Sequence, residues 1–376
     1  MMTTINDINR YKSITVNPLL SPDQLFELYS VPSFDNQYPE VVAGKEIGST
    51  KVAVQDNDVL ICKINPRINR VWVVKHNTPY PLIASSEWIV VRSPENDSNY
   101  LKWYFSSPQF KNLMVSQVTG IGGSLTRAQP KQVATYPVPL PDLPTQRRIA
   151  DTLDKVSEGI KLCRRMMDEL DLMVKAKFVE MFGNIPETEF VTMGSVCSLI
   201  TDGTHQPPKF VDSGIPFLFV SNITTNMLTY NAEKFISAET YAELMKRTPV
   251  EIGDILLSTV GSYGHPAIVK SNKQFSFQRH IAFLKPRHNI IDSTFLHSAI
   301  LTAGVQRQIE AKVKGIAQKT LNLSEIRTLR FPLPPLQEQE RYAALVKNIN
   351  KSKLTIQEIR DKMETEKLAL MQEYFK

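Results

Sequence analysis

Apolar residues at Ile149, Leu153, Val156, Ile160, Cys163, Met167, Leu170 and Val174 alternate steps of four and three. That spacing is a heptad seam, narrower than the stripe of an ordinary surface helix. It predicts a long helix over 145–182, entered from the proline-rich ramp Pro139-Leu-Pro-Asp-Leu-Pro144, with one slip in the pattern before Phe178 and Met181. At 1.5 Å per residue such a helix would be about 57 Å long, more than one small domain can cover, so it needs a partner helix. A second ramp, Pro332-Leu-Pro-Pro-Leu-Gln337, opens another helical run that continues to Lys376. Tyr342, Leu345, Ile349, Ile356, Ile359, Met363 and Leu370 supply its three-four spacing, and polar Ser352 and Glu366 fall at two seam positions. These two read either as register positions or as local weakness.

The ramp and helix are the end of a longer internal repeat. Asn57-Asp58-Val-Leu60-Ile61 echoes Gly253-Asp254-Ile-Leu256-Leu257, and the stretch from Gly122 to Gln129 falls where that from Gly315 to Asn322 falls in the second half. The chain therefore reads globule, helix, globule, helix. The expected divisions are a first domain over 1–144, a central helix over 145–183, a second domain over 184–336 and a C-terminal helix over 337–376. The fold class expected is α+β: two mixed α/β globules related by a pseudo-two-fold axis and held apart by an antiparallel two-helix coiled-coil spacer.

Within the first globule, Val52-Ala-Val54, Val59-Leu-Ile-Cys62, Val71-Trp-Val-Val74 and Trp88-Ile-Val-Val91 are short β-branched runs divided by turn formers, and they predict strands. Ser21-Pro-Asp-Gln24 reads as a helix start, and residues 100–115 as one helix with Leu101, Tyr104, Phe105, Phe110 and Leu113 on its buried face. In the second globule the expected strands are 215–220, 252–257 and 281–284.

Charge enters next. The 376 residues carry a formal net charge of +6. The long helices alternate charges of both signs, so the excess falls on the globules, which favours a polyanionic partner without requiring one. Three widely spaced cysteines, with no CxxC, argue against a disulfide framework or a zinc ribbon and for a reducing compartment. No apolar run of membrane-spanning length and no signal-peptide pattern is present, so the expected location is the cytoplasm.

Catalytic motifs are poorly represented. Asn77-Thr-Pro-Tyr80 approaches the Asn-Pro-Pro-Tyr box that amino-methyltransferases use on a flipped adenine, but no glycine-rich cofactor loop accompanies it, and a turn beside a strand is the better reading. Gly120-Ile-Gly-Gly-Ser124 lacks the Walker pair and the dinucleotide spacing. Glu310-Ala-Lys312 lacks the upstream acid of a nuclease site, and the six histidines show no metal-ligand spacing. His297 reads as packed, and Cys163 as core.

The chain resembles the specificity subunits of type I restriction-modification systems over nearly its whole length. The resemblance is carried by the duplicated proline-leucine-proline ramp with its Gln337-Glu-Gln339 helix start, by Gly203-Thr-His205 to Ser221-Asn-Ile-Thr224, and by the strand entry at 250–257. The first ramp departs from the pattern, with Pro144-Thr145 where the second has Gln337-Glu338. The resemblance implies a non-catalytic subunit: each globule would read one half of a gapped double-stranded DNA site, while the helices would set the gap and dock two methyltransferase subunits. An endonuclease and translocase subunit could join them. It also implies no cofactor in this chain, S-adenosylmethionine belonging to the methyltransferase partner. The alternatives are a coiled-coil scaffold without DNA reading, or a fused methyltransferase or nuclease.

Side-chain chemistry selects candidates for DNA contact, since Arg, Lys, Asn and Gln pair with base edges while Ser, Thr and Lys often serve phosphates. The loop after Cys62 offers Lys63, Asn65, Arg67 and Arg70, and the glycine-rich stretch offers Ser124 and Arg127. The second globule offers Thr204, His205, Lys209, Ser262, Tyr263, His265, Arg279, Gln318 and Lys319.

Overall fold

A computed structural model describes residues 3–116, 118–119, 126–315 and 319–376. The chain divides into two units, one of Met1–Arg164 with Gln357–Lys376 and one of Arg165–Ile356. The division cuts across both long helices, Leu143–Phe182 and Leu336–Tyr374, instead of falling at their starts.

In the first unit a three-stranded antiparallel sheet has Val59–Cys62 at its centre, flanked by Val71–Val73 and Trp88–Val91. Alternation along these strands sends Val59, Ile61, Val71 and Val73 into a core with the helices, and Leu60, Cys62, Trp72 and Trp88 into a core on the other face. A five-stranded mixed sheet contains Leu25–Tyr29, which the sequence suggested as following a helix start. It is a strand because its two neighbours, Glu40–Ala43 and Leu82–Ser85, pair with it on either side, and because its residues divide between two cores. The single helix expected over 100–115 is two, Ser98–Phe105 and Pro108–Ser116. Pro108 cannot donate a backbone hydrogen bond to the preceding turn, so the chain breaks at Ser106 and Ser107 and restarts with proline in the first turn.

The second unit repeats this framework. Ile255–Ser258 pairs with Pro266–Ile268 and Ile281–Pro286, and Cys197–Asp202 extends the sheet. Leu257 and Ala282 face one core, Leu256 and Phe283 the other. Each central strand is entered through a left-handed residue followed by a buried aspartate: Asn57 and Asp58 in the first unit, Gly253 and Asp254 in the second. Each aspartate meets a cation from the neighbouring strand or the residue that follows it. Arg92 donates to both Asp58 oxygens at 2.8 and 2.7 Å, and Lys285 Nζ donates to Asp254 Oδ2 at 3.2 Å.

Both ramps end on a buried glutamine. Asp97 N donates to Gln146 Oε1 at 3.0 Å, while Gln146 Nε2 donates to Pro141 O and to Asn96 Oδ1, each at 2.9 Å. Asp292 N donates to Gln339 Oε1 at 2.9 Å, and Gln339 Nε2 donates to Pro334 O at 2.8 Å and Ile290 O at 3.2 Å. Asp97 and Asp292 each cap the helix that follows. The glutamine thus fixes the ramp, the capping residue and the start of the long helix to one another in each unit.

The long helices run in opposite directions within each unit. In the first, Ile149 and Leu153 share a core with Met371 and Phe375, Gly159 lies against Met363, and Arg164 pairs with Glu364 at 3.0 Å. In the second, Lys353 pairs with Asp171 at 2.5 Å and Tyr342 donates to Val174 O at 3.3 Å. The seam of the first long helix follows the expected heptads. That of the second corrects them: Ile359 is 47% exposed and Val346 is buried, while Ser352 and Glu366 face solvent. Lys353, Arg360 and Lys367, one residue further on than Ser352, Ile359 and Glu366 and seven apart, are half-buried. Their aliphatic stems cover apolar surface that a count of hydrophobic letters overlooks.

Candidate nucleic-acid interface

Each unit exposes one edge at which most of the described candidates gather. In the first, the loop of residues 63–70 leaves the central strand, and Asn65 (φ 47°) and Asn69 (φ 53°) bracket the short helix Pro66–Ile68 in left-handed conformations. Asparagine tolerates that region better than most residues. Lys63 O accepts from Ala128 N and Thr126 O accepts from Asn65 N, which lays Arg127 beside the loop. Lys63 N donates to Glu87 O, adding the entry to the third strand. Lys63, Asn65, Arg67 and Arg127 therefore share one surface, with Arg67 exposed. Arg70 differs: its side chain is only 17% exposed and stands 3.7 Å from Asp35. Ser124 lies outside the described residues.

The second unit builds its edge on corresponding bonds. Thr259 N donates to His280 O, Leu321 N to Thr259 O and Gly261 N to Lys319 O, the counterparts of the Lys63, Ala128 and Asn65 bonds. By this register Thr259, His280 and Thr320 stand where the first unit has Lys63, Glu87 and Arg127, and Gly261 (φ +72°) replaces Asn65. The frame is held constant while the chemistry on it changes from charged to neutral.

Thr204 joins the same edge: Thr204 O accepts from Arg279 N, and Thr204 bridges Gln278. Burial first, then the neighbouring Arg279, holds the His280 imidazole below its ordinary pKa. Ser262 is exposed at the loop tip and Tyr263 is half-buried against the core. Lys319 Nζ lies 3.4 Å from the Tyr263 hydroxyl and donates to Glu310 Oε1 at 2.6 Å. Hydrogen bonds from Lys319 and Tyr263 hold Glu310 below the ordinary carboxylate range, and the Glu310 contact raises Lys319. Glu310 is thus an ion-pair partner within the edge. His265 is held from two sides, its backbone N–H donating to Ser258 Oγ at 2.9 Å and Nδ1 lying 3.0 Å from Asn226 Oδ1. His205 pairs with Asp202, which also takes Arg247. Lys209 is exposed and leads into a separate sheet, away from the hydrogen-bonded edge. Gln318 lies outside the described residues.

Four participants were not singled out as part of the edge by the sequence: Glu87, Glu310, Asn226 and Asp202. Glu87 and His280 each precede the third strand of their repeat, so that position is available from the repeat itself; Asp202 ends the Cys197–Asp202 strand, Asn226 lies in a turn and Glu310 on the Ala303–Lys312 helix, and no motif marks them.

The Asn77-Thr-Pro-Tyr80 turn is occupied structurally. Buried Glu27 accepts from Asn77 Nδ2 at 2.8 Å, Thr78 N at 2.9 Å and Thr78 Oγ1 at 2.7 Å, which uses the polar groups that an adenine pocket would need. Among the described residues no group of three or more His, Cys, Asp or Glu is placed to hold a metal ion. Burial pushes the Cys197 thiol up to about 12, so it is an inert core group. No helix among the described residues is long and apolar enough to cross a membrane.

The model of the type I restriction modification DNA specificity domain matches residues 29–171 and 187–365. A specificity subunit of the Escherichia coli type I restriction enzyme EcoBI is 30% identical over 147 residues, covering 39% of this chain and 31% of that protein. The chain therefore spans about a third of the E. coli relative. The specificity subunit of the Methanocaldococcus jannaschii enzyme MjaVIII is 21% identical over 358 residues, covering 89% of this chain and 82% of the relative. Among solved structures, a chain from work on complex assembly and conformational transition of the type I R-M system aligns over 100% of this chain and 97% of its own. Its TM-score is 0.61 at 18% identity. The type I system S subunit from M. genitalium aligns over 99% and 94%, with TM-score 0.55 and 11% identity. These two likenesses show the fold. With the family model matching both repeats, the chain belongs to the type I restriction modification DNA specificity domain family.

Proposed function

We propose that this chain is the DNA-reading specificity subunit of a type I restriction-modification complex and contributes no catalytic group of its own. The carrying observation is the pair of edges with one backbone frame and different side chains. Lys63, Glu87 and Arg127 in one unit correspond to Thr259, His280 and Thr320 in the other. A repeated frame with divergent chemistry suits the reading of two unlike half-sites, because base edges are distinguished by the donors and acceptors brought to them.

On this reading DNA and the other subunits of the complex are its partners. The finer assignment is two methyltransferase subunits bound through the long helices and adjoining surfaces, with an endonuclease and translocase subunit joining them. S-adenosylmethionine is used by the methyltransferase, and the assembly works in the cytoplasm. The first and second units would comprise the two target recognition domains, expected over 1–144 and 184–336.

Adenine methylation mapped across the genome of the source cell, with and without the gene, tests the reading. Loss at one gapped two-part motif is expected. His265→Ala should then relax one half of that motif and leave the other intact; equal relaxation of both halves, or unchanged methylation after deletion, would count against it.

A further inference from the structure

Both edges carry a carboxylate among the cations they offer. In the first unit Arg127 Nη2 donates to Glu87 Oε1 at 3.1 Å, and Lys63 Nζ stands 3.9 Å from Oε2. In the second, Lys319 Nζ donates to Glu310 Oε1 at 2.6 Å and the Tyr263 hydroxyl donates to the other oxygen. The acids come from different places. Glu87 stands at the entry to a strand, Glu310 on the Ala303–Lys312 helix, and the position corresponding to Glu87 is His280. The arrangement recurs although the position does not, so it is not a by-product of the repeated frame.

Nor does stability account for it in the second unit. Glu310 is 57% and Lys319 50% exposed, and ion pairs that open to solvent add little to folding. Their chemistry matters more at the surface. A carboxylate offers a cation the same charge-assisted bond that a phosphate oxygen would offer. A cation already paired with a carboxylate must give up that bond to reach phosphate, which is a penalty on binding. That penalty is the same for every sequence. It acts on the phosphate contacts, which supply essentially all of the hold on non-target DNA.

We propose that Glu87 and Glu310 are built-in competitors of DNA phosphate, which weaken the sequence-independent part of DNA binding. The proposal rests on the DNA-reading function argued above and assigns two residues that limit its phosphate contacts.

The test is a double-mutant cycle on the full chain. Binding of a fluorescent random-sequence duplex is followed over a series of salt concentrations for the unmodified protein, Glu310→Gln, Lys319→Met and the pair combined. Glu310→Gln should bind the random duplex roughly two- to fivefold more tightly, the range set by the worth of an exposed ion pair. Its salt dependence should steepen by about one phosphate contact. Both effects should vanish in the Lys319→Met background. A gain that persists without Lys319 would reduce the role of Glu310 to general charge repulsion and overturn the proposal, as would unchanged or weaker binding by Glu310→Gln. Salt-insensitive or absent duplex binding by the unmodified protein would instead overturn the DNA-reading function, and the proposal with it. The same cycle with Glu87→Gln and Arg127→Met tests the first unit.

Discussion

Gln146 and Gln339 occupy the same place in the two repeats: each accepts the backbone N–H of a helix-capping aspartate and donates to the carbonyl of the ramp proline five residues before it. Replacing either by leucine takes these partners from an N–H and a carbonyl that are partly or wholly buried, at a cost of up to about 1–3 kcal/mol each. Gln146→Leu should lower hydrogen-exchange protection in the first unit and Gln339→Leu in the second, each sparing the other. A uniform loss across the chain would show that the glutamines do not act locally.

Lys285→Met should destabilise the second unit because Asp254 is fully buried, and a buried charge stripped of its partner costs about 3–5 kcal/mol. Burial already raises the Asp254 pKa above its ordinary 3.8. A raised folded pKa favours the folded state at low pH, and that advantage is lost as pH rises through it. The penalty of Lys285→Met should therefore shrink on acidification, since a protonated Asp254 needs no cation. Chemical denaturation at neutral and mildly acid pH measures this; an equal penalty at both would contradict it.

His297 Nε2 lies 3.0 Å from Asn226 O and 3.1 Å from Pro266 O. Two carbonyls can only accept, so Nε2 carries the proton of a neutral ring. Burial, with Lys270 adding to it, holds its pKa below the ordinary 6.5. The stability it contributes is full above the unfolded-state value and is lost as pH falls toward the folded one. The melting temperature of the second unit should decline as pH drops below about 6.5, and His297→Gln should flatten that decline. An identical slope in the variant would assign the effect to other groups, His280 among them.

A Cβ on Gly159 would meet Met363 Cε at 2.2 Å. The methionine end is flexible, so Gly159→Ala should exchange a helix gain of about 1 kcal/mol for a displaced side chain. The substitution should be close to neutral in the natural sequence and stabilising in a Met363→Ala background. Thermal unfolding of the four proteins gives the coupling, and equal effects in both backgrounds would show that the two residues do not contend for the same space.

The long helices were legible because a heptad seam needs only the local order of residues, and the repeat because its ramps keep their prolines. The strand at Leu25–Tyr29 was hidden for a tertiary reason. Glu27 breaks its apolar run yet is buried, its carboxylate satisfied by Asn77 and Thr78 from a distant turn. Six of the nine expected seam positions of the second helix are buried or half-buried; Ser352, Ile359 and Glu366 are displaced by one residue because Lys353, Arg360 and Lys367 count as polar letters while their stems pack. The loops at 63–70 and 259–265 were located by the repeat. What each side chain does there was not, since Glu87 and Glu310 meet their cations only through the fold.

The spacing of Lys353, Arg360 and Lys367 carries a consequence for solution behaviour. Over 353–367 the seam carries one cation per heptad and is a poor mate for its own copy there, because a parallel self-pair would set Lys353, Arg360 and Lys367 each against itself. Asp171 of the first long helix answers Lys353, a partner that a second copy of the same helix lacks. Over these heptads the seam therefore disfavours a parallel pairing of two copies of the helix.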